Sequence, residues 1–313
     1  MSLNIQENVK LSQYTTYKLG GPARYFVDAK NEDEIIEAFA WARQKKVPYF
    51  ILGGGSNILV SDKGFNGLVV RIQNTKYEIK NNRIEAGAGM DLSDLVETSI
   101  NSGFQGLEWA SGIPGTFGGA VRGNAGAFGG ELKDIITAVK FLDKKGNIRR
   151  ATNKECKFSY RTSIFKESAG KVIISASIDL KEGDLEALKE TSKNIIDFRA
   201  SRHPLEYGSC GSVFKAVELN AIHPSHFEKY PAFAKMVKND PSPVVPMACF
   251  IDEASLKGYR IGGAMISNKH PNFFVNYDNA SAEDVVTLIS FAKYRLRDAF
   301  KIQAEEEVQY VGF

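Results

Sequence analysis

The sequence predicts a mixed fold, α/β at its start and α+β further on, divided into two or three domains. Three observations carry this expectation. The chain has 313 residues, more than a single hydrophobic core usually serves. Residues 23–72 read strand, helix, glycine turn, strand, which is the pattern of an α/β unit. Beyond them come hairpins, which build antiparallel sheet. Hydrophobic residues make up 43% and charged residues 25%, an ordinary globular balance.

The elements follow in order. "ARYFVDAK" (23–30) is a strand and "NEDEIIEAFAWARQKK" (31–46) a helix. Asn31 can cap that helix, and acids in its first turn and bases in its last suit the helix dipole. "VPYFILG" and "GLVVRI" are strands on either side of "GGGSN" (53–57). Three consecutive side chains are missing there, and glycine lets a ligand come close to the main chain. "KYEIKNNRIEAGAGM" is a hairpin turning at Asn81 and Asn82, and "DLSDLVETSINSG" (91–103) is a helix closed by Gly103. "GLEWASGIPGTFGGAVRGNAGAFGG" (106–130) is dense in glycine and nearly free of charge. Linkers rarely carry residues such as Trp109, Ile113, Phe117 and Phe128, so a packed ligand-binding loop is expected. "IITAVKFLDKKGNIRRAT" is a hairpin with Lys144, Lys145 and Gly146 at its turn, and "KVIISASIDLKEGD" is a strand. "LEALKETSKNIIDFRASRHP" is a helix running into Pro204, with a domain boundary near residue 200. After it come the serine loop "GSCGSVFKAV", a proline-rich loop around "NDPSPVVP", a helix at "SAEDVVTLISFAKYRLRDAF" and a final strand at "EEEVQYVGF".

Composition excludes several classes of function. The net charge of +3 gives no case for nucleic acid. Cys156, Cys210 and Cys249 are far apart and form no CxxC, so neither a disulfide framework nor a structural zinc site is expected. Reduced thiols point to the cytoplasm. The polar start shows no secretion signal, and no apolar stretch is long enough to span a bilayer. His223 and His226 form an H-x-x-H, but two ligands do not make a metal site and Pro224 disfavours a helix interior between them, so no metal is expected. No long heptad is present, and a monomer is expected.

Two standard phosphate cradles can be tested on the first glycine turn. No Lys-Ser or Lys-Thr follows it, so it is not a P-loop. "ILVSD" follows it and reads as strand or loop rather than helix, so a Rossmann turn is a weak reading. What remains is a pair of glycine loops whose main-chain N–H groups could cradle a diphosphate.

At this point the sequence resembles a known family, the UDP-N-acetylenolpyruvoylglucosamine reductases. The resemblance rests on "YTTYKLGGPARYFV", "LGGGSNILVSDKGFNGLVVRI", "AGAGMDLSDLV", "GLEWASGIPGTFGGAVRGNAGAFG", "FSYRTSIFK", "GSVFK", "LKGYRIGGAMISNKHPNFFVN" and "EEEVQYVG", in the family's order from about Tyr14 onwards. It implies a two-part FAD-binding region of the vanillyl-alcohol-oxidase type followed by an α/β substrate-binding domain. The divisions it suggests are 1–75 with a returning strand in 300–313, then 76–200, then 201–299. Gly53, Gly54, Gly55, Ser56 and Asn57 would wrap the FAD diphosphate. Ser111, Gly112, Ile113, Pro114, Gly115, Gly118 and Gly119, then Asn124, Ala125 and Gly126, would close the other side. No histidine precedes His203, which argues for non-covalent FAD.

The resemblance also implies the chemistry: an enolpyruvyl ether is reduced to a lactyl ether, with NADPH as reductant, in peptidoglycan precursor synthesis. Ser212 in "GSVFK" would donate a proton to the carbon beside the carboxylate. Arg161 in "SYRTS" would stabilise the developing negative charge, and Glu307 would act with it. By composition alone Glu305, Glu306 and Glu307 are indistinguishable, and the spacing to Val308 and Gly312 selects Glu307. Arg199, Arg202 and Lys215 would meet the substrate diphosphate, and Tyr160 would line the pocket.

Departures from the family pattern gather in the last third. Ala216 stands where asparagine is expected, Cys249 and Ser255 replace small or glycine positions, and about twenty extra residues lie within 218–246. The stretch between "FSYRTSIFK" and "KVIISASIDL" is short, which fits the shorter of the family's two forms. Two other readings stay open on the sequence: another FAD-dependent oxidase or dehydrogenase on the same fold, and a non-catalytic FAD- and UDP-sugar-binding protein.

Overall fold

A computed structural model describes residues 3–168, 170–239 and 243–313. The first helix, Glu32–Lys45, has both ends set by its sequence. Asn31 Oδ1 accepts from the Glu34 N–H at 3.0 Å, and Lys46 ends the helix in a left-handed conformation with φ +54°. The strand before it is Pro22–Ala29. It lies in a four-stranded sheet ordered Gln6–Lys10, Pro22–Ala29, Phe65–Ile72, Tyr49–Leu52. The last two strands pair in parallel, Tyr49 opposite Leu68. The stretch joining them holds the first glycine turn.

The chain folds as two compact units. The first comprises Met1–Val9, Ala23–Gly54 and Asn66–Arg199; the second comprises Lys10–Pro22, Gly55–Phe65 and Ala200–Phe313. The first unit also holds an antiparallel sheet ordered Ile148–Thr152, Ile136–Leu142, Val172–Asp179, Arg83–Gly87, Tyr77–Lys80. Both predicted hairpins are found there, with Asn81 at φ +55° in the tight turn of one. Val172–Asp179 is the central strand and is buried from Val172 to Ile178. A strand covered on both faces cannot alternate, which is why its sequence is an unbroken apolar and small run. Helix Leu92–Asn101 adds Leu95, Val96 and Ile100 to the same core.

The glycine-dense segment is packed, as predicted, but it is not all loop. Thr116 opens a helix, Phe117–Gly123, by accepting from the Gly119 N–H, and Asn124 closes it with φ +45°. Phe117 is fully buried and Trp109 nearly so, whereas Phe128 is 51% exposed. Helix Ile164–Glu167 and strand Val172–Asp179 are close in sequence, consistent with the shorter family form.

The second unit is organised around helix Ala282–Phe300. Ser281 and Asp284 form a capping box, and the Asp62 carboxylate accepts from the Ala282 N–H at 2.9 Å. Val285, Leu288, Ile289, Ala292, Leu296 and Phe300 form its buried face, at helical spacing. The final strand is Gln309–Val311, parallel to Ile58–Val60. Segment 218–246 contains helices Ser225–Lys229 and Ala232–Lys235, which sequence periodicity did not reveal. Residues 240–242 of the proline-rich loop lie outside the described residues. The H-x-x-H is a structural feature of this segment: His226 Nε2 is 2.9 Å from the Phe300 carbonyl, and His223 Nδ1 is 2.7 Å from Ser225 Oγ. Among the described residues no helix is long and apolar enough to cross a membrane.

Candidate functional site

Two glycine loops meet in the first unit through their main chains. A Cβ on Gly54 would lie 2.6 Å from Gly115 Cα, and one on Gly53 would lie 2.5 Å from Thr116 Oγ1. No residue but glycine allows this approach. The second loop is anchored from behind. Gly115 C=O accepts from the Leu92 N–H at 2.9 Å, Phe117 N–H donates to Met90 C=O at 2.8 Å, and Gly118 N–H donates to Ala88 C=O at 2.9 Å. Gly118 lies so close to Ala88 that a Cβ there would come within 2.6 Å of the Ala88 Cβ. The result is a surface lined by backbone rather than side chains, which suits a diphosphate.

Ser111 turns away from that surface. Its hydroxyl donates to Glu108 C=O at 2.7 Å and lies 2.8 Å from Ser192 Oγ on helix Leu185–Arg202. Gly112 has φ +71°, and a Cβ on it would meet Arg199 Cδ at 2.9 Å. The Arg199 guanidinium lies 5.3 Å from the Phe128 ring centroid. Its Nε is buried with no hydrogen-bond partner among the described residues, and burial lowers the guanidinium pKa. A buried guanidinium nitrogen with no partner among the described residues, beside a backbone-lined loop, fits an anionic group such as a dinucleotide diphosphate. The residues present therefore fit FAD. Arg202, in the same last helical turn, is exposed.

Asn124 is fully buried and serves the fold. Its Nδ2 donates to Glu131 Oε2 at 3.1 Å and to Ser159 C=O at 3.0 Å, while its Oδ1 accepts from the Lys133 N–H at 3.0 Å. It thereby joins the glycine block to the segment that carries Tyr160 and Arg161. Ala125 N–H donates to Ala120 C=O at 2.9 Å. Gly126 C=O accepts from Arg161 Nη2 at 2.9 Å, and the guanidinium lies 4.9 Å from the Tyr160 ring centroid. Arg161 holds φ +54°, a conformation that costs a non-glycine residue roughly 1–2 kcal/mol. Lys166 Nζ donates to its carbonyl at 2.8 Å and helps to hold it there.

In the second unit, Gly55 has φ +64°, and a Cβ there would run into Tyr14 C=O. Its own carbonyl accepts from the Thr16 N–H at 3.2 Å. Asn57 reaches the C-terminal segment: its Nδ2 donates to Glu307 C=O at 3.2 Å, and its carbonyl accepts from the Gln309 N–H at 3.1 Å. Glu307 N–H in turn donates to Val213 C=O at 2.7 Å, and Lys215 N–H donates to Glu305 C=O at 2.9 Å. Ser212 and Glu307 therefore sit on neighbouring extended segments. The three glutamates are no longer alike. Glu305 pairs with Lys215 Nζ and Glu306 with Lys293 Nζ, each at 3.0 Å. The main chains of Glu305 and Glu307 both bond the serine segment, and Glu307 is the one joined to Val213, next to Ser212. Lys215, expected to meet substrate, makes its ion pair with Glu305.

Several residues of this region were not singled out in the sequence. Asn272, 5% exposed, clamps the serine segment from the side opposite Glu307. Phe273 pairs with Ser212 in an antiparallel bridge. The His203, His270 and Phe273 rings are packed together, the His203–His270 centroids 5.4 Å apart. Burial, with His203 beside it, pushes His270 down to about 4. Burial pushes the Cys210 thiol up to about 12, with Glu307 adding to the shift, so Cys210 is a buried neutral thiol. Tyr17, also raised by burial, donates its hydroxyl to Phe274 C=O at 2.6 Å. Ser255, at a position where the family pattern predicts a small residue or glycine, has φ +55°, the backbone conformation glycine adopts freely.

Residues 23–152 match a family model described as an FAD binding domain, and residues 203–311 match one described as the C-terminal domain of UDP-N-acetylenolpyruvoylglucosamine reductase. A UDP-N-acetylenolpyruvoylglucosamine reductase of Caldanaerobacter subterraneus is 37% identical over 306 residues, covering 97% of this chain and 93% of that protein. One of Solibacter usitatus is 36% identical over 311 residues, covering 99% and 98%. Among solved structures, UDP-N-acetylenolpyruvylglucosamine reductase (MurB) from Thermus caldophilus superposes with a TM-score of 0.77 at 30% identity, covering 99% of each chain.

Proposed function

The chain belongs to the UDP-N-acetylenolpyruvoylglucosamine reductase family, and on that premise we propose which of its residues convert UDP-N-acetylglucosamine enolpyruvate into UDP-N-acetylmuramate. It is an FAD-dependent oxidoreductase of peptidoglycan precursor synthesis, with NADPH as reductant. Membership supports this activity over the alternatives of another FAD-dependent oxidase or dehydrogenase on the same fold and of a non-catalytic FAD- and UDP-sugar-binding protein. We place the protein in the cytoplasm, acting as a monomer.

FAD, when bound, would supply hydride chemistry at this site, with NADPH as the reductant. The remaining work falls to side chains. Reducing the enolpyruvyl double bond puts negative charge on the carbon beside the carboxylate. The Ser212 hydroxyl donates a proton to that carbon. A serine is a weak acid, so it acts only where its O–H is held on the developing carbanion. The Arg161 guanidinium neutralises charge spreading into the carboxylate; its fixed fork matches that group in two hydrogen bonds. Glu307, on the segment beside Ser212, is the second acid–base group of this reading. Gly53, Gly54, Gly55, Ser56 and Asn57, with the loop from Ser111 to Gly119 and the turn at Ala125 and Gly126, would hold the FAD diphosphate. Arg199 lies beside that loop and supplies charge to a diphosphate there, while Arg202 and Tyr160 meet the nucleotide-sugar. Asn124 supports Arg161 from within the fold.

The observation that carries this reading is the tie between Glu307 N–H and Val213 C=O, which sets two of the three proposed catalytic residues on adjacent segments. The test is NADPH consumption by FAD-loaded protein with and without UDP-N-acetylglucosamine enolpyruvate. Substrate-dependent consumption yielding UDP-N-acetylmuramate is expected. A flavoprotein indifferent to this substrate overturns the reading.

A further inference from the structure

We infer that Asn272 is a positioning residue for proton delivery: it holds the segment carrying Ser212 so that the hydroxyl reaches the substrate carbon. The inference rests on the proposed role of Ser212.

The geometry is a clamp with three hydrogen bonds. Asn272 Oδ1 accepts from the Phe214 N–H at 3.1 Å, and its Nδ2 donates to the Phe214 carbonyl at 2.8 Å. Its own main-chain carbonyl accepts from the Val213 N–H at 2.8 Å. One residue thus fixes the two positions after Ser212, and Phe273 pairs with Ser212 itself. Asn272 and Phe214 are 5% and 1% exposed, so water does not replace these bonds.

The chemistry calls for such a device. Ser212 follows Gly211, which has φ +80° and, among the described residues, no neighbour within 4 Å of the place a Cβ would occupy. A serine hydroxyl is a useful acid only while its O–H is aimed at the carbanion, and a displacement of about 1 Å can cost roughly a hundredfold in rate. Aspartate has nearly the same shape as asparagine but cannot, when ionised, donate to the Phe214 carbonyl. It separates the clamp from simple packing.

The test uses FAD-loaded protein in separate half-reactions. Flavin is reduced with NADPH, and its reoxidation by UDP-N-acetylglucosamine enolpyruvate is followed by stopped-flow absorbance in H2O and D2O. Ser212→Ala is the reference, and Asn272→Asp and Asn272→Ala are the variants. Expected are unchanged flavin reduction, reoxidation slowed roughly tenfold to a hundredfold, and a larger solvent isotope effect in the Asn272 variants. If Ser212→Ala abolishes reoxidation while both Asn272 variants stay within about twofold of the parent, the positioning role is wrong and the serine role stands. If the Asn272 variants lose flavin, or lose both half-reactions in step with a fall in melting temperature, Asn272 is a fold residue only and the inference fails. If Ser212→Ala reoxidises normally, the serine reading fails and takes the inference with it.

Discussion

Glu307 lies in a run of three glutamates, and the structure distinguishes them by what each touches. Glu305 is 73% exposed at its side chain and pairs with Lys215, a type of contact worth about 0–1 kcal/mol. Glu307 has its main chain joined to both Asn57 and Val213. Glu307→Gln should therefore lower kcat by about a hundredfold or more, in the range of a lost acid-base group, while Glu305→Gln changes it by no more than about twofold; steady-state NADPH assays on the two purified variants decide. His270 supports a second prediction. Burial and His203 hold its pKa at about 4, against an ordinary 6.5. The folded state therefore keeps His270 neutral, and the unfolded chain takes up a proton first as pH falls. Its contribution to stability is complete above about 6.5 and is lost as pH drops from there towards 4. Urea midpoints at pH 7.5 and pH 5 should fall less in His270→Gln than in the parent; an equal fall contradicts the assignment.

At the scale of elements, the glycine loops approach most closely where Gly54 meets Gly115, because neither residue carries a side chain there. Gly54→Ala would put a methyl group 2.6 Å from Gly115 Cα, with backbone rather than a movable side chain in the way. The loops must part, at a cost of about 1–3 kcal/mol, and FAD binding should weaken at least tenfold, measured by fluorescence of flavin released on dilution. Gly123→Ala is the control. Gly123 lies in helix Phe117–Gly123 with nothing within 4 Å of its would-be Cβ, so this variant should keep its flavin. Thr116 and Asn124 bound the helix between them by different means: the Thr116 hydroxyl caps its start, whereas Asn124 closes its end through a left-handed backbone and leaves its side chain free to bond the Ser159 carbonyl.

At the scale of the whole molecule, FAD binding and folding are linked. A ligand that binds only the folded chain adds RT ln(1 + [L]/Kd), about 4 kcal/mol at a thousand times Kd. Melting temperature should rise with the logarithm of free FAD. The rise should be absent in Gly54→Ala at FAD concentrations that saturate the parent, and a rise of equal size in that variant would mean that the glycine contact does not build the flavin site.

The sequence by itself determined the elements whose signals are local. Asn31 and Asn81 with Asn82 mark a helix start and a turn within a few residues, and both were legible, as was the helix at 281–300, whose Ser281 and Asp284 capping box the structure adds. The motifs around Ser212 and Arg161 were legible too, because a family's chemistry leaves its mark in short contiguous blocks. Helices Phe117–Gly123, Ser225–Lys229 and Ala232–Lys235 were not, since they are too short to establish a period and rely on tertiary packing. Only the tertiary structure decided that Glu305 and Glu306 pair with lysines while Glu307 lies beside Val213, that Asn124 faces inward, that Arg199 lies beside Gly112, and that Asn272 clamps Phe214 from 58 residues away. The physical reason is range. Caps and turns are set by dihedral angles and hydrogen bonds within one turn of chain, whereas these contacts exist only after distant segments have been brought together by burial of the cores.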